Sequence, residues 1–321
     1  MLRATLPPLA AVLTYFALAG WGHEKALIGA VFALTVALWM TEVVPIAVAA
    51  LLSSALLICI NGQAEKTVLS AYGDPIVPLF IGSFVLAKGM ELTGLSDRFA
   101  YAILRQRWAS GNPLALLVSI GAVTCIISLL VSNTATTAMM LPIGLALLTT
   151  IKANNLKVHY STGLMLMLTW SSSVAVGIPV GTPPNLIGMG VLEKATGTRI
   201  SFLEGMGFGM PITIAMLLAC MAILWLLYGK HAPNTQAASQ EADRLLSGMG
   251  PVKPSERAVL WGFATAMLIW IVPDALVIAL GKDHPVALWV QPRFPASVAA
   301  LLGMAVMFLV PAQDRESGRA I

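Results

Sequence analysis

Two short polar interruptions carry the residue types in this chain that could do chemistry. Ser132-Asn133-Thr134 lies within the apolar run from Pro113 to Ile151, and Gly181-Thr182-Pro183-Pro184-Asn185 splits a later apolar run. The chemistry they suit is coordination. Carbonyls freed where a helix stops, the hydroxyls of Ser128 and Ser132 and the amide of Asn133 can surround a hard cation such as sodium. Ser128 and Ser132 stand four apart, which puts both hydroxyls on one helix face. Ser, Thr and Asn also cap helices, and proline is accepted in a first helical turn, so each interruption reads as a helix restart. A buried helix N-terminus favours an anion. Gly181 permits an unusual backbone or a close approach to a ligand.

The charge pattern sharpens this reading. Between Asp97 and Glu193 there is no acidic residue, and the histidine in that interval is His159, beside Lys157 in a connector. Carboxylates within a membrane mark proton relays; an acid-free site instead suits neutral oxygen ligands for sodium and does not repel an anionic substrate. A proton-coupled or exchanging anion carrier stands as the alternative.

Both sites need elements to hold them, and composition says of what kind. The chain has 321 residues, 58% hydrophobic and 11% charged, against about a quarter charged in soluble domains. It is therefore expected to be an all-α polytopic membrane protein. The net charge of +4 does not point to nucleic acid, because Lys and Arg sit mostly in short connectors, as cytoplasmic loops require. Cys59, Cys125 and Cys220 all fall in apolar segments and read as core residues. No His-Glu-x-x-His helix, Gly-x-Ser-x-Gly elbow or phosphate loop is present, nor paired aspartates in spans, so an enzyme is not expected.

Hydropathy predicts helices near Leu6 to Gly20, Ala26 to Met40, Pro45 to Ile60, Pro75 to Met90, Pro113 to Val131, Ala135 to Ile151, Tyr160 to Val180, Asn185 to Leu192, Met210 to Tyr228, Val259 to Leu280 and Phe294 to Val310. The segment after Arg3 reads as a first membrane helix with a cytoplasmic N-terminus, rather than a cleaved signal. Arg98, Arg105 and Arg107 precede the Ser132 run and Lys152 and Lys157 follow it, which places both its ends in the cytoplasm. Two full spans or a re-entrant hairpin satisfy that rule equally; the second break favours the hairpin, since broken backbone at membrane depth is tolerated only within protein or beside a cavity.

At these residues the chain resembles the divalent anion:sodium symporter family, on Val131 to Pro142 with its Ser-Asn-Thr signature, Val180-Gly181-Thr182-Pro183-Pro184-Asn185, and Trp39-Met40-Thr41-Glu42-Val43-Val44-Pro45. The resemblance implies an inverted-repeat fold with Ser-Asn-Thr at the tip of a re-entrant hairpin, and an elevator-type transport domain moving against a dimeric scaffold. It implies sodium at Ser128, Ser132, Asn133 and Gly181, and a substrate carboxylate at Asn133 and Thr134 with Thr182 nearby. The substrate would be a C4-dicarboxylate, citrate or sulfate, and the setting the lipid bilayer of the plasma (inner) membrane, as a homodimer. Two departures are visible. Ser171-Ser172-Ser173-Val174-Ala175-Val176-Gly177 stands where relatives often carry a Gly-Gly pair, and a second Ser-Asn-Thr hairpin is absent. The expected organisation is scaffold helices over 1–110, half of a transport domain over 111–208, a connecting helix over 209–228, a cytoplasmic linker over 229–257, and the first helices of a truncated second repeat over 258–321. A fragment or assembly subunit that needs a partner half is the corresponding alternative.

Other polar residues have structural readings. Glu42 before Pro45 reads as a capping residue, Lys88 and Glu91 as a pair across one turn, and Trp21, Trp108 and Trp289 as interfacial anchors. Asp274 is open to a functional reading as an intramembrane acid or a structural one near the outer end of its span.

Overall fold

The computed structural model describes residues 2–106, 112–152, 158–197, 200–229 and 236–312. Arg107, Trp108, Lys157 and the tail from residue 313 lie outside the described residues, as do the side chains of Arg3, Lys152 and His159. All regular structure among the described residues is helical, in two compact units, 1–74 and 75–321. Among the described residues, four helical stretches are long and apolar enough to cross a membrane: His23–Thr41, Glu65–Thr93, Phe202–Tyr228 and Pro254–Leu280.

The first unit contains α1 (Leu2–Leu18), α2 (His23–Thr41), α3 (Ile46–Cys59) and α4 (Glu65–Ser70). Glu42 ends α2 in the left-handed conformation, φ 52 and ψ 29, with its N–H on Leu38 O at 3.0 Å. That is the geometry of a C-terminal cap usually given to Gly or Asn, so the part played by Glu42 is one of backbone. The hydroxyls of Thr35 and Ser53 join α2 to α3, where each also bonds the carbonyl four residues back.

The second unit holds α5 (Ile76–Thr93), α6 (Leu95–Leu104), α7 (Pro113–Ser128), α8 (Asn133–Lys152), α9 (Val158–Ser173), α10 (Pro183–Thr196), α11 (Phe202–Tyr228), α12 (Gln236–Gly248), α13 (Pro254–Leu280), α14 (Pro285–Val290) and α15 (Ala296–Leu309). Asn112 caps α7 by accepting the Leu114 and Ala115 N–H groups, and Ser201 with Glu204 forms a capping box for α11. Helix α7 is apolar on every side, and Leu116, Leu117, Ile120, Val123 and Ile127 are all buried. A helix apolar all round belongs in a core.

Contacts at each level give the directions of the helices around it. Tyr160 donates to Pro113 O at 2.8 Å, Gly121 faces Met167 and Ser171, and Ser128 meets Ser172, so α7 and α9 run parallel. Thr137 meets Ser172 while Gly144 meets Leu168, so α8 runs against α9. Helix α11 lies antiparallel to α9, with Tyr228 on Gly163, and extends past the end of α9 to bring Gly205 onto Pro179. Beside this group, α5 and α15 run parallel, with Gly82 against Ala300 and Gly89 against Met307. Helix α13 crosses α15 where Gly262 and Gly303 bring backbones together. Small residues at such crossings are the usual means of close approach for helices in lipid.

The polar stretch read as a linker contains α12, which is amphipathic and packs on α6 and α8. The junction beside it is held by Arg98 of α6. Its Nε donates to both carboxylate oxygens of Glu256 at 3.0 Å, and its Nη atoms donate to Gly250 O at 2.8 Å and Pro251 O at 3.2 Å. Glu256 is fully buried and also accepts the Lys253 N–H at 2.9 Å. Lys88 and Glu91 pair at 2.8 Å on the surface of α5. Asp274 accepts the Leu203 N–H at 2.9 Å and so caps α11 from α13, which accounts for this acid structurally.

Removing one partner of a buried ion pair strands the other charge. Arg98→Ala is therefore expected to lower stability by ~3–5 kcal/mol, measured by unfolding in detergent micelles. The double variant Arg98→Met with Glu256→Leu should recover most of that loss.

Candidate functional site

Helix α7 ends at Ser128, and after a short turn α8 begins at Asn133. The expectation that Ser128 and Ser132 share a helix face does not hold, because the helix stops between them. Ser132 is instead the N-cap of α8, its Oγ accepting the Ala135 N–H at 3.3 Å. Ser128 is fully buried, and its hydroxyl lies 2.9 Å from Asn133 Oδ1 and 2.9 Å from Ser172 O. One proton serves two acceptors, so the amide oxygen keeps lone-pair capacity. Thr137 Oγ1 donates to Asn133 O at 2.9 Å and lies 2.6 Å from Ser172 Oγ, which in turn donates to Thr169 O.

The break in the second run starts earlier than its polar residues suggest. Helix α9 stops at Ser173 and the chain is irregular to Ile178, ahead of a short turn over Pro179–Gly181. Its backbone polar groups are met from outside, as burial requires. Thr213 of α11 donates to Val174 O at 3.1 Å and accepts the Val176 N–H at 3.2 Å, while Asn185 Nδ2 donates to Val176 O at 2.9 Å. Gly177 and Gly209 let the irregular strand lie directly on α11; a Cβ on Gly209 would stand 2.8 Å from Gly177 O.

The two breaks meet at Gly181. A Cβ there would stand 2.7 Å from Leu129 O in the α7–α8 turn, closer than real Cβ atoms come to backbone. Thr182 occupies the N-cap position of α10 and is buried, yet its hydroxyl makes no capping bond. The reason lies in Pro183 and Pro184, which have no N–H to donate, and in Asn185, whose N–H goes to Thr182 O at 3.2 Å.

The geometry thus brings Ser128, Asn133 and Gly181 together around the turn, with Ser132 as a cap beside them. Thr134 is exposed on the first turn of α8. The N–H groups of Ser132, Asn133 and Thr134 have no acceptor among the described residues, the arrangement of a helix N-terminus able to receive an anion. Ser172, Thr137 and Thr213 were missed by sequence reasoning. A run of hydroxyls at the end of an apolar helix was the available signal for Ser172; nothing in the sequence marks Thr213.

Opposite helix ends meet at the junction, the C-termini of the parallel helices α7 and α9 and the N-terminus of α8 at Asn133, and residues 113–151 and 160–192 contain no charged side chain. Among the described residues no cluster of His, Cys, Asp or Glu suits a transition metal; the donors here are hydroxyl, amide and carbonyl oxygens, which suit a hard cation.

A family model described as "Citrate transporter" (CitMHS) matches residues 36–318. A protein named sodium-dependent dicarboxylate transporter SdcS from Staphylococcus saprophyticus is 32% identical over 298 residues, covering 88% of this chain and 54% of the relative. Its namesake from Staphylococcus aureus strain USA300 is 30% identical over 299 residues, with the same coverage. The chain spans about half the length of the curated relatives it matches.

Gly181→Ala is expected to push the loop off the Leu129 carbonyl and to destabilise the unit by about 1–3 kcal/mol, read as a lowered unfolding temperature in detergent. Gly188→Ala, on α10 with open space at the Cβ position, should be close to neutral.

Proposed function

Because the chain belongs to the citrate transporter family, we propose that it supplies the cation site and one helix-N-terminal anion site of a secondary carrier that couples sodium to uptake of a divalent anion. A C4-dicarboxylate is the leading substrate, with citrate or sulfate as related anions. The observation that carries the reading is the junction at which Ser128 bonds both Asn133 and Ser172 while Gly181 abuts the same turn.

In this reading sodium binds first, at Ser128, Ser132, Asn133 and Gly181, and couples the α7–α8 turn to the Gly181 loop. The turn then presents Asn133 and Thr134 at the N-terminus of α8 to a substrate carboxylate, with Thr182 nearby. The coupling follows from position. The cation lies against two helix C-termini and the anion against a helix N-terminus, so each stabilises the geometry the other needs.

A re-entrant hairpin is supported by length. Helix α7 has 16 residues, about 24 Å, against 27 residues and about 40 Å for α11. It starts beside the first turn of α9 and reaches only to where α9 breaks. With a hydrocarbon core of about 30 Å, the tip falls partway through, both hairpin ends on the cytoplasmic side. A homodimer in the plasma membrane with a cytoplasmic N-terminus belongs to the same proposal. The proton-coupled alternative finds no support in the site, where no carboxylate or imidazole lines residues 113–151 or 160–192.

Ligands that bind the folded state raise its apparent stability. Sodium, compared with equimolar potassium, is expected to raise the unfolding temperature of the purified chain, and succinate to add a further rise only when sodium is present. Asn133→Ala should remove both increments and, in proteoliposomes, abolish sodium-gradient-driven succinate uptake. Equal stabilisation by potassium would overturn sodium coupling; increments that survive in Asn133→Ala would overturn the site.

A further inference from the structure

Three hydroxyls near the junction, those of Thr124, Thr136 and Ser171, are buried without a partner among the described residues, and two of them belong to the helices of the α7–α9 seam. Thr124 Oγ1 and Ser171 Oγ are fully buried and have no hydrogen-bond partner among the described residues. Buried hydroxyls are normally paired, and serine or threonine in a helix can usually reach the carbonyl one turn back. Ser119 and Ser173 do so in these same helices.

Their placement is specific. Ser171 Oγ points at α7, 3.1 Å from where a Cβ on Gly121 would stand. Thr124 lies one turn beyond Gly121 and one turn before Ser128, on the same face of α7. That face ends at the bond from Ser128 to Ser172 O. The carbonyls of Ser171 and Ser173 receive no N–H among the described residues, because Val174 N turns back to Trp170 O and Ala175 N to Ser172 O. The α7–α9 seam therefore collects uncommitted oxygens at two parallel, negative helix ends, with Met221 of α11 closing it beside Gly121. No charged side chain from residues 113–151 or 160–192 enters it.

We propose that Thr124, Ser171 and the shared Ser128 hydroxyl form a second site for a small monovalent cation, one helical turn from the first along the α7–α9 seam. Sodium fits the donor set, all of it neutral oxygen, and the two helix C-termini provide the negative potential. The proposal rests on the cation reading of the junction. Like charges one turn apart repel, so the second ion binds at least tenfold more weakly than the first and the isotherm has two steps.

The test counts bound sodium on the purified full chain in lipid nanodiscs, by equilibrium dialysis with radiolabelled sodium. Two ions are expected per wild-type chain, one in Thr124→Val, and two again in Thr124→Ser, which restores the hydroxyl. Ser171→Ala provides an independent variant with the same expected loss. In potassium, Thr124→Val should also unfold at a higher temperature than the wild type, because it deletes an unpaired buried hydroxyl at constant shape. One ion in both wild type and Thr124→Val would mean that the hydroxyls hold only water, overturning the second site and leaving the first intact. Two ions in wild type and still two in Thr124→Val and Ser171→Ala would overturn the assignment to these residues. No bound sodium in the wild type would overturn both sites.

Discussion

The Ser128 hydroxyl, within 2.9 Å of both the Asn133 amide oxygen and the Ser172 carbonyl, is the bond on which the second unit is arranged. It ties the end of α7 to the start of α8 and both to the end of α9. Without it, three helix termini would meet in a buried space with their polar groups facing apolar side chains, at a cost of roughly 1–3 kcal/mol for each unmet group. The turn it stabilises is also the surface on which Gly181 rests. The α7–α8 turn, the broken helix and the N-terminal end of α8 thus meet at this one contact.

A second constraint explains why the breaks are built from neutral residues. Backbone that leaves the helix in an apolar medium must be satisfied by protein, and here Asn185 meets the Val176 carbonyl while Thr213 adds to the turn bond from the Val176 N–H to Val174 O. Charged side chains could do the same only at a large desolvation cost, so dipoles and hydroxyls take their place. Where α6, α12 and α13 meet, Arg98 and Glu256 form a buried charged pair with nearly every donor and acceptor used. The seam of α7 and α9, proposed as a binding site, is uncharged and incompletely paired, whereas the junction at Arg98 is charged and nearly fully paired.

Much of the helix order was legible because hydropathy responds to helix length. Most of the apolar runs match the observed helices within a few residues, but α9 stops at Ser173, well before the expected Val180, and α11 starts at Phe202, well before the expected Met210; caps such as Asn112 and Ser201 stand where their residue types suggest. The helices that hydropathy passes over are short or amphipathic: α4, α6, α12 and α14. The site was legible in part. Ser132 and Asn133 announce a restart because polar residues interrupt an apolar run. The break at Val174 was hidden because Val174, Ala175 and Val176 are themselves apolar, and their irregular backbone depends on a threonine far along the chain at 213.

The sequence by itself determined that the chain is a helical membrane protein, that two runs are broken, and that no carboxylate lies between Asp97 and Glu193. Those properties are local: hydropathy, capping chemistry and residue type act over a few turns and need no partner to be read. Only the tertiary structure decided that Ser132 caps while Ser128 bridges, that Ser172 joins the junction, and that Gly181 lies on Leu129. Each of those depends on where α7, α8, α9 and α11 cross, and crossings are set by the packing of residues distant in sequence. The same packing left Thr124 and Ser171 buried without partners among the described residues, a property that no single helix could display.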